Sequence, residues 1–225
     1  MLANAQVQHT IDEIIVTATQ QQTLLGDLPV GAGVITSEDL ATVQHVHANQ
    51  IFQRIAGAWI SRGNGQESLT ALRSPVLTGP GSCGAFFMAA DGVSLRAPGF
   101  CNVNQLFDAN TEQAERIEVI KGPGTALYGS GAMHGIINVL TPRPTEDWQQ
   151  RIGLEAGPNS YRRGRYEVSG THGRHGLSFA GNLARDGGYN FSSGFDQGKG
   201  NLRYLYNGKS LDVDTILRAT RLRQE

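Results

Sequence analysis

The sequence lacks an excess of charge of either sign. Its 225 residues include 19 Lys and Arg against 20 Asp and Glu, which gives a formal net charge of −1. Domains that bind nucleic acid usually carry a basic patch and a positive net charge. The balance of charge therefore argues against a nucleic-acid partner.

The chain also lacks a long apolar run. The longest stretch without Asp, Glu, Lys or Arg extends from Gly122 to Pro142, and glycines interrupt it repeatedly. A helix that spans a bilayer needs about 20 mainly apolar residues. Any membrane contact must then be made by β-strands, the other structure that satisfies its own backbone in lipid. The content of 29 glycines also favours turn-rich β structure over a helical bundle.

Cysteine is scarce: Cys83 and Cys101 lie in a segment rich in Gly and Pro. In an exported protein, a disulfide between them is the expected arrangement. A disulfide that closes a loop of about this length would stabilise the fold by about 3 kcal/mol. Two free thiols in a cytosolic protein are the alternative. Neither a C-x-x-C pair nor a nearby pair of histidines accompanies them, so we predict no metal site there.

Residues 1–25 are predicted to form a flexible N-terminal extension. Ala3-Asn4-Ala5 has the small-residue form of a signal-peptidase site, but the charged and apolar regions that normally precede it are missing. We therefore expect Met1 to be a fragment start. Apart from Ile14-Ile15-Val16 the extension is polar and buries too little to order itself. That apolar patch is suited to pairing with the sheet edge of another protein.

Residues 26–144 are predicted to form an α+β domain, a small mixed sheet with short helices. Thr36 or Ser37 can cap a first helix that has an acidic first turn. A second helix is predicted from Ala48 to Ile55, with Gly57 as its stop. The predicted strands are Val30–Ile35, Ala58–Arg62, Leu69–Arg73, Ala85–Ala90, Arg116–Lys121 and Ile136–Leu140, with a turn at Asp91-Gly92.

Residues 145–225 show a different period. Apolar and polar residues alternate from about Trp148 onward in segments of about ten residues. Turn clusters separate the segments, among them Gly157-Pro158-Asn159 and Asn207-Gly208. This pattern is typical of a transmembrane β-barrel, although the strands of a soluble β-sandwich alternate in the same way. About five strands are predicted here, whereas the smallest outer-membrane barrels have about eight, so we expect an incomplete barrel.

Motifs of enzyme sites are incomplete in this sequence. The glycines Gly122 and Gly124 do not complete G-x-G-x-x-G, because Leu127 takes the last position. The lysine of a Walker loop is missing, and no G-x-S-x-G elbow is present. We therefore predict that the protein is not an enzyme and needs no cofactor.

The six histidines form two close pairs, His45-x-His47 and His172-x-x-His175. The second pair lies in a predicted turn, where solvated surface positions are expected. Neither pair comes with the further ligands that a zinc site needs. We therefore predict no metal site.

The segment from Glu115 to Thr141 carries one long ordered motif. It reads E-R-I-E-V-I-K-G-P, followed by A-L-Y-G, G-A and G-I-I-N-V-L-T. In this segment the sequence closely resembles the plug signature of TonB-dependent outer-membrane receptors. Such a string is far more specific than a single glycine pattern. Two strands flanking a glycine-rich turn would also bring the backbone close to neighbouring structure.

Other segments follow the same family order. Ile51 to Arg73 and Asp91-Gly92-Val93 resemble further plug motifs, so the resemblance covers roughly residues 12–144. It implies that Arg73 and Lys121 pair with glutamates on the barrel wall. The lysine stands where an arginine is common, and it offers a point charge rather than a planar fork. The resemblance also implies a TonB box, the peptide that the inner-membrane protein TonB captures as an added strand. Its residues are Asp12, Glu13, Ile14, Ile15, Val16, Thr17 and Ala18.

The resemblance implies energy-coupled import across the outer membrane of a Gram-negative bacterium. The N-terminus would face the periplasm, and the barrel would contact outer-membrane lipid. The ligand is expected to be a small molecule such as a ferric siderophore, with cobalamin, sugars and other metal complexes open. The alternative is a free-standing exported binding module that recognises a partner by strand addition at residues 12–18.

Overall fold

A computed structural model describes residues 15–16, 23–28, 30–76, 85–96, 104–124 and 128–224. These residues form two five-stranded sheets, two short two-stranded sheets and two α-helices. In chain order the elements are β1 (Ile15–Val16), β2 (Thr23–Leu24), β3 (Gly31–Thr36), α1 (Ser37–Val43), α2 (Ala48–Phe52), β4 (Ala58–Ile60), β5 (Thr70–Leu72), β6 (Phe86–Ala90), β7 (Val93–Ser94), β8 (Arg116–Lys121), β9 (Gly135–Leu140), β10 (Gln149–Ala156), β11 (Arg162–His172), β12 (His175–Asp186), β13 (Phe195–Asn207) and β14 (Asp212–Gln224). Short 3-10 helices lie at Leu25–Asp27, Gln105–Asp108, Thr111–Gln113 and Ser130–Ala132.

The first five-stranded sheet has the order β3-β8-β9-β6-β7. Strands β6 and β9 are parallel and the other neighbours are antiparallel, so the sheet is mixed as predicted. The signature strand β8 lies between β3 and β9, with Ile117 opposite Ile35 on one side and Val139 on the other. All three of these side chains are buried. The hydrophobic strings of the signature therefore form the centre of a sheet.

Both helices begin with a capping box. The Thr36 hydroxyl accepts a hydrogen bond from the Asp39 backbone N–H, and the Asp39 carboxylate accepts one from the Thr36 N–H.

Helix α2 is shorter than predicted and ends at Phe52 rather than Ile55. Its last turn tightens into short-range bonds, such as that from the Ile55 N–H to the Phe52 carbonyl, before Gly57 takes a φ of 80°.

The main core lies between this sheet and the two helices. Ile51 and Phe52 of α2 are fully buried, and they belong to the same cluster as Ile35, Leu72 and Ile137. Burying such a side chain contributes about 1.5–3 kcal/mol. Leu106 and Ala109 belong to the same cluster, so this packing also positions the segment of the two 3-10 helices before β8.

The second five-stranded sheet is an antiparallel meander in the order β10-β11-β12-β13-β14. The five predicted strands of the C-terminal region are confirmed. Their side chains alternate between two faces, as the sequence period requires. Among the described residues, no helix is long and apolar enough to cross a membrane.

Candidate functional site

The second sheet presents a polar face to the first domain. On β13, Gln197, Lys199, Asn201 and Arg203 are buried at alternate positions, and the residues between them are more exposed. The opposite face carries exposed apolar side chains instead. The most exposed of these are Leu154, Leu183, Ile152 and Leu217. A sheet that is polar towards its neighbouring domain and apolar on its free face matches the wall of an outer-membrane barrel.

A buried ion pair joins the two domains. The Lys199 Nζ lies 3.0 and 3.1 Å from the two carboxylate oxygens of Glu112, which belongs to the 3-10 helix Thr111–Gln113. The Gln197 amide donates a further bond of 2.9 Å to Glu112. Both charged side chains are at most 4% exposed. The pair is therefore shielded from water and salt, unlike a surface ion pair.

His45 completes this cluster from the first domain. Its Nε2 lies 3.0 Å from the Thr111 hydroxyl, and its ring is 1% exposed. Burial lowers the pKa of His45 to about 4, although the Glu112 carboxylate opposes that shift. Burial alone would raise the pKa of Glu112, but Lys199 and its other partners outweigh it and lower that pKa to about 2. Near neutral pH the cluster thus contains a neutral imidazole beside a carboxylate–ammonium pair.

Arg163 of β11 binds the end of helix α1. Its guanidinium donates to the carbonyls of Gln44, at 2.8 Å, and of His45. It also pairs with the Glu155 carboxylate of β10 at 2.6 Å. Carbonyls at a helix C-terminus carry partial negative charge, so an arginine there is favourable. This contact fixes α1 against the second sheet.

A third contact connects two motifs of the first domain to β13 and β14. The Asp91 carboxylate accepts bonds from the Thr141 N–H at 3.0 Å and from the Thr141 hydroxyl at 2.7 Å. Arg218 also binds Asp91, and Arg203 donates to the Thr141 carbonyl at 2.9 Å. The Asn138 amide oxygen accepts from the Gly92 N–H at 2.9 Å. The D-G-V and I-N-x-x-T strings therefore meet at the interface with the second sheet.

Arg73 and Lys121 lie near each other. Lys121 is largely buried, and its Nζ donates to the Ala56 carbonyl at 2.9 Å. Burial and then the positive charge of Arg73 lower the pKa of Lys121. Arg73 packs over Gly31 and Gly57, where an added Cβ would lie 3.1 Å from its side chain. Among the described residues, no ion pair joins either cation to β10–β14, so their pairing with a barrel wall stays a prediction.

The predicted TonB box is described only in part. Ile15 and Val16 form β1, which pairs antiparallel with Thr23 and Leu24 of β2. The backbone of these two residues is thus extended, and the TonB box stays a prediction. The other residues of the box, and both cysteines of the predicted disulfide, lie outside the described residues. They are Asp12, Glu13, Ile14, Thr17, Ala18, Cys83 and Cys101.

Two glycines of the signature make close approaches. A Cβ on Gly135 would lie 2.5 Å from the Ile120 carbonyl oxygen and 2.6 Å from Leu72. A Cβ on Gly124 would lie 2.6 Å from Ile136. Gly135 therefore lacks space for a side chain beside the backbone of β8, whereas a side chain at Gly124 would require the Ile136 side chain to shift.

Sequence analysis missed the interface residues Glu112, Lys199 and His45. The spacing His45-x-His47 gives no sign of an interface, and the described residues hold no cluster of three His, Cys, Asp or Glu that could bind a metal ion. The available signal was a lysine and an arginine, Lys199 and Arg203, on the same face of an otherwise alternating strand. Cations at those positions need an acceptor on whatever packs against the sheet.

Taken together, the described parts of the chain define a plug-like α+β domain docked on the polar face of an antiparallel wall. Comparison with known proteins agrees. The family model of the TonB-dependent receptor plug domain matches residues 25–136. The vitamin B12 transporter BtuB of Vibrio vulnificus is 28% identical over 211 residues, which cover 92% of this chain and 33% of that protein.

Solved structures show the same fold. The pyoverdine outer-membrane receptor FpvA of Pseudomonas aeruginosa PAO1, bound to pyoverdine, superposes with a TM-score of 0.69 at 16% identity, covering 92% of this chain and 29% of that one. BauA, the ferric preacinetobactin receptor of Acinetobacter baumannii, gives 0.66 at 16% identity, covering 87% and 28%. This chain belongs to the TonB-dependent receptor family and consists of the plug domain and antiparallel strands that follow it. It spans about a third of the length of the curated relative that it matches.

Proposed function

We propose that the protein imports a small-molecule ligand across the outer membrane of a Gram-negative bacterium, with TonB supplying the energy. The observation that carries this proposal is the plug domain itself, held by the buried pair Glu112–Lys199 against a wall with an apolar outer face. That outer face contacts lipid, and the N-terminus faces the periplasm. A free-standing binding module would have no use for exposed leucines on three strands of one face, β10, β12 and β14.

The polar character of the interface supports a plug that moves. An interface held by hydrogen bonds and ion pairs can exchange them for water when it opens, whereas an apolar interface exposes surface that water solvates poorly. Several buried polar atoms on this interface have no partner among the described residues, including His45 Nδ1 and both amide atoms of Asn182. Ordered water is the usual partner of such atoms. Force applied to the plug would thus break hydrogen bonds one at a time, and hydrogen bonds to water would replace them.

TonB applies that force at residues 12–18. The backbone of Ile15 and Val16 is already extended, so an added strand can be built on it by main-chain hydrogen bonds. TonB must compete with β2 or pair with the other edge of β1. Arg73 and Lys121, a pair of cations at one end of the plug sheet, bind glutamates of the barrel wall and keep the plug seated until then.

The ligand belongs to the size class of siderophores and cobalamin. A ferric siderophore is the first candidate, since the solved receptors with this fold include those for pyoverdine and ferric preacinetobactin. Vitamin B12 is the second, from the name of the sequence relative. The two candidates differ in the metal that enters the cell, which makes them separable by isotope.

The test is uptake by a bacterial strain that lacks its own receptors and expresses the full-length gene. Cells receive either radioactive iron complexed with a panel of siderophores or cyanocobalamin labelled with radioactive cobalt. We expect one ligand to accumulate, and accumulation to stop when TonB is deleted or a protonophore collapses the proton gradient. Accumulation that persists without TonB would contradict the proposal, as would a protein that binds no ligand and is absent from the outer membrane.

A further inference from the structure

The outward face of the second sheet changes character along its strands. Just inside the strand ends it carries apolar side chains, and Leu154 and Leu183 are 82% and 71% exposed. At the end near the loop of residues 187–194 it becomes basic. Cross-strand pairing places Arg162 beside Arg185, Arg185 beside Asp196, and Asp196 beside Arg223, in one lateral row. We call this row, with Arg221 beside Gly198, the arginine row.

The arginine row borders a groove. Gly164 and Gly198 have no side chains, so they leave space that neighbouring leucines border. Leu154 Cδ2 lies 3.8 Å from the position that a Cβ on Gly164 would take, and Leu183 Cδ2 lies 3.2 Å from the corresponding position on Gly198. The resulting depression has a volume of about 680 Å³ and is lined by these four residues, by the four arginines and by Asp196. Glu155, Arg163, Ala184 and Gln197 also contribute to its lining. It is apolar towards the middle of the sheet and cationic at its end.

The charges of the row are not balanced within it. The row contains four arginines and one carboxylate, that of Asp196, so its net charge is +3. The pairing of Asp196 with Arg185, at 3.5 Å, joins two side chains that are more than half exposed, and such a pair contributes little. Guanidinium groups placed side by side repel each other unless an anion lies between them.

We propose that the groove binds a lipid whose headgroup carries phosphate. The arginines of the row take the phosphate oxygens in bidentate hydrogen bonds, and Leu154 and Leu183 contact the start of an acyl chain. Planar guanidinium groups match phosphate geometry, and clusters of basic residues next to apolar membrane surface are typical of anionic-lipid contacts. The inference rests on the proposed function, since the outward face must lie in a membrane. A soluble phosphate would satisfy the arginines but would leave the leucines of the groove uncovered.

The experiment uses the full-length gene product purified from outer membranes in a non-ionic detergent. Its affinity for diphosphoryl lipid A is measured by titration with native mass spectrometry, with phosphatidylcholine as the zwitterionic comparison and excess inorganic phosphate as a competitor. The test variant replaces the arginine row by glutamine: R162Q, R185Q, R221Q and R223Q. The matched control, R174Q with K209Q, removes exposed basic residues from the turns at the other end of the strands.

We expect the test variant to bind lipid A at least about tenfold more weakly, and the control variant to bind like the parent protein. A second variant, Gly198→Leu, keeps every charge but fills the groove beside Leu183, and it should also lose lipid binding. Unchanged affinity in both test variants would overturn the inference, as would equal binding of phosphatidylcholine or displacement of lipid A by inorganic phosphate. Failure of the parent protein to enter the outer membrane would instead contradict the proposed function. The two failures are therefore distinguishable.

Discussion

The Glu112 carboxylate and the Lys199 ammonium face each other at 3.0 Å in a nearly dry interface between the plug domain and β13. Burying either charged group alone would be costly, so each group can be buried only because the other neutralises its charge. The contact joins residues that are 87 positions apart in the chain. This pair is one of the charged contacts that dock the plug on the strands, beside those of Arg163 and Asp91.

Replacing only one partner of this pair should loosen the plug. Lys199→Met leaves Glu112 buried without its ammonium, and removing one partner of a buried pair typically costs about 3–5 kcal/mol. Hydrogen exchange at residues 104–114 should become about 100-fold faster or more. The double variant Glu112→Leu with Lys199→Met should recover much of the protection, because no unpaired charge is left. Lys209→Met, in an exposed turn, is the control, and K199M protection equal to that of K209M would count against this account.

Acid should weaken the same contact in two stages. The pKa of His45 is lowered to about 4, so its stabilising contribution is complete above its unfolded pKa of about 6.5 and is lost as the pH falls from there to about 4. The pKa of His47 is lowered in the same direction, with burial as the main cause. The pKa of Glu112 is lowered to about 2, so its contribution is lost as the pH falls below about 4.5.

The first stage can be assigned with one variant. His45→Gln keeps a hydrogen-bonding group near Thr111 but cannot titrate, and it should reduce the loss of stability between pH 6.5 and 4 by up to about 3 kcal/mol. The measurement is the free energy of unfolding in denaturant at a series of pH values. His172→Gln, at the exposed end of β11 and away from Thr111 and Glu112, is the control and should change the profile less than H45Q does. An identical slope in H45Q and the parent protein would show that His45 does not cause the first stage.

Glycine at position 135 is predicted to be required for packing. Gly135→Ala would place a Cβ 2.5 Å from a backbone oxygen, which cannot move without shifting β8. Overpacking of this kind costs about 1–3 kcal/mol. Gly200→Ala is the matched control in another strand, since nothing lies within 4 Å of its added Cβ. Thermal unfolding of the two variants should differ clearly, and equal midpoints would contradict the steric argument.

A disulfide between Cys83 and Cys101 remains a prediction from the sequence. Peptide mapping of the non-reduced, exported protein by mass spectrometry should recover the two cysteines in one linked fragment. Reduction should release them as two separate peptides. Recovery of two free thiols from freshly exported protein would contradict it.

The parts of the fold that follow local rules could be read from the sequence. Strand β8 matches the predicted Arg116–Lys121 without a shift, because its apolar run lies between a polar turn and Gly122. Thr36 was one of two predicted caps and is the one used. Helix α2 was predicted too long, since the apolar residue Ile55 is buried from a turn rather than from a helix.

The interface itself could not be read from the sequence. Glu112 follows Thr111 in a short 3-10 helix with no periodic signal, and only the docked sheet shows which cation it meets. The alternation of β13 predicted two faces but left open which of them is covered. The answer depends on a contact between distant segments, and tertiary contacts of this kind have no local pattern.

The central claim is that residues 12–18 couple the receptor to TonB by strand addition. Main-chain hydrogen bonds would then supply most of the affinity, so proline should be far more damaging than alanine. Ile14→Pro and Val16→Pro should abolish uptake, whereas Ile14→Ala should lose only about 1–3 kcal/mol of apolar contact. Ligand binding at the cell surface should survive in every variant.

The most direct measurement is the affinity of the purified periplasmic domain of TonB for the ligand-loaded receptor, determined by calorimetry for the parent protein and for Val16→Pro. The account predicts saturable binding to the parent protein, retained binding to Ile14→Ala with reduced affinity, and no detectable binding to Val16→Pro. Equal affinity of the TonB domain for the parent protein and the proline variant would contradict coupling through this strand.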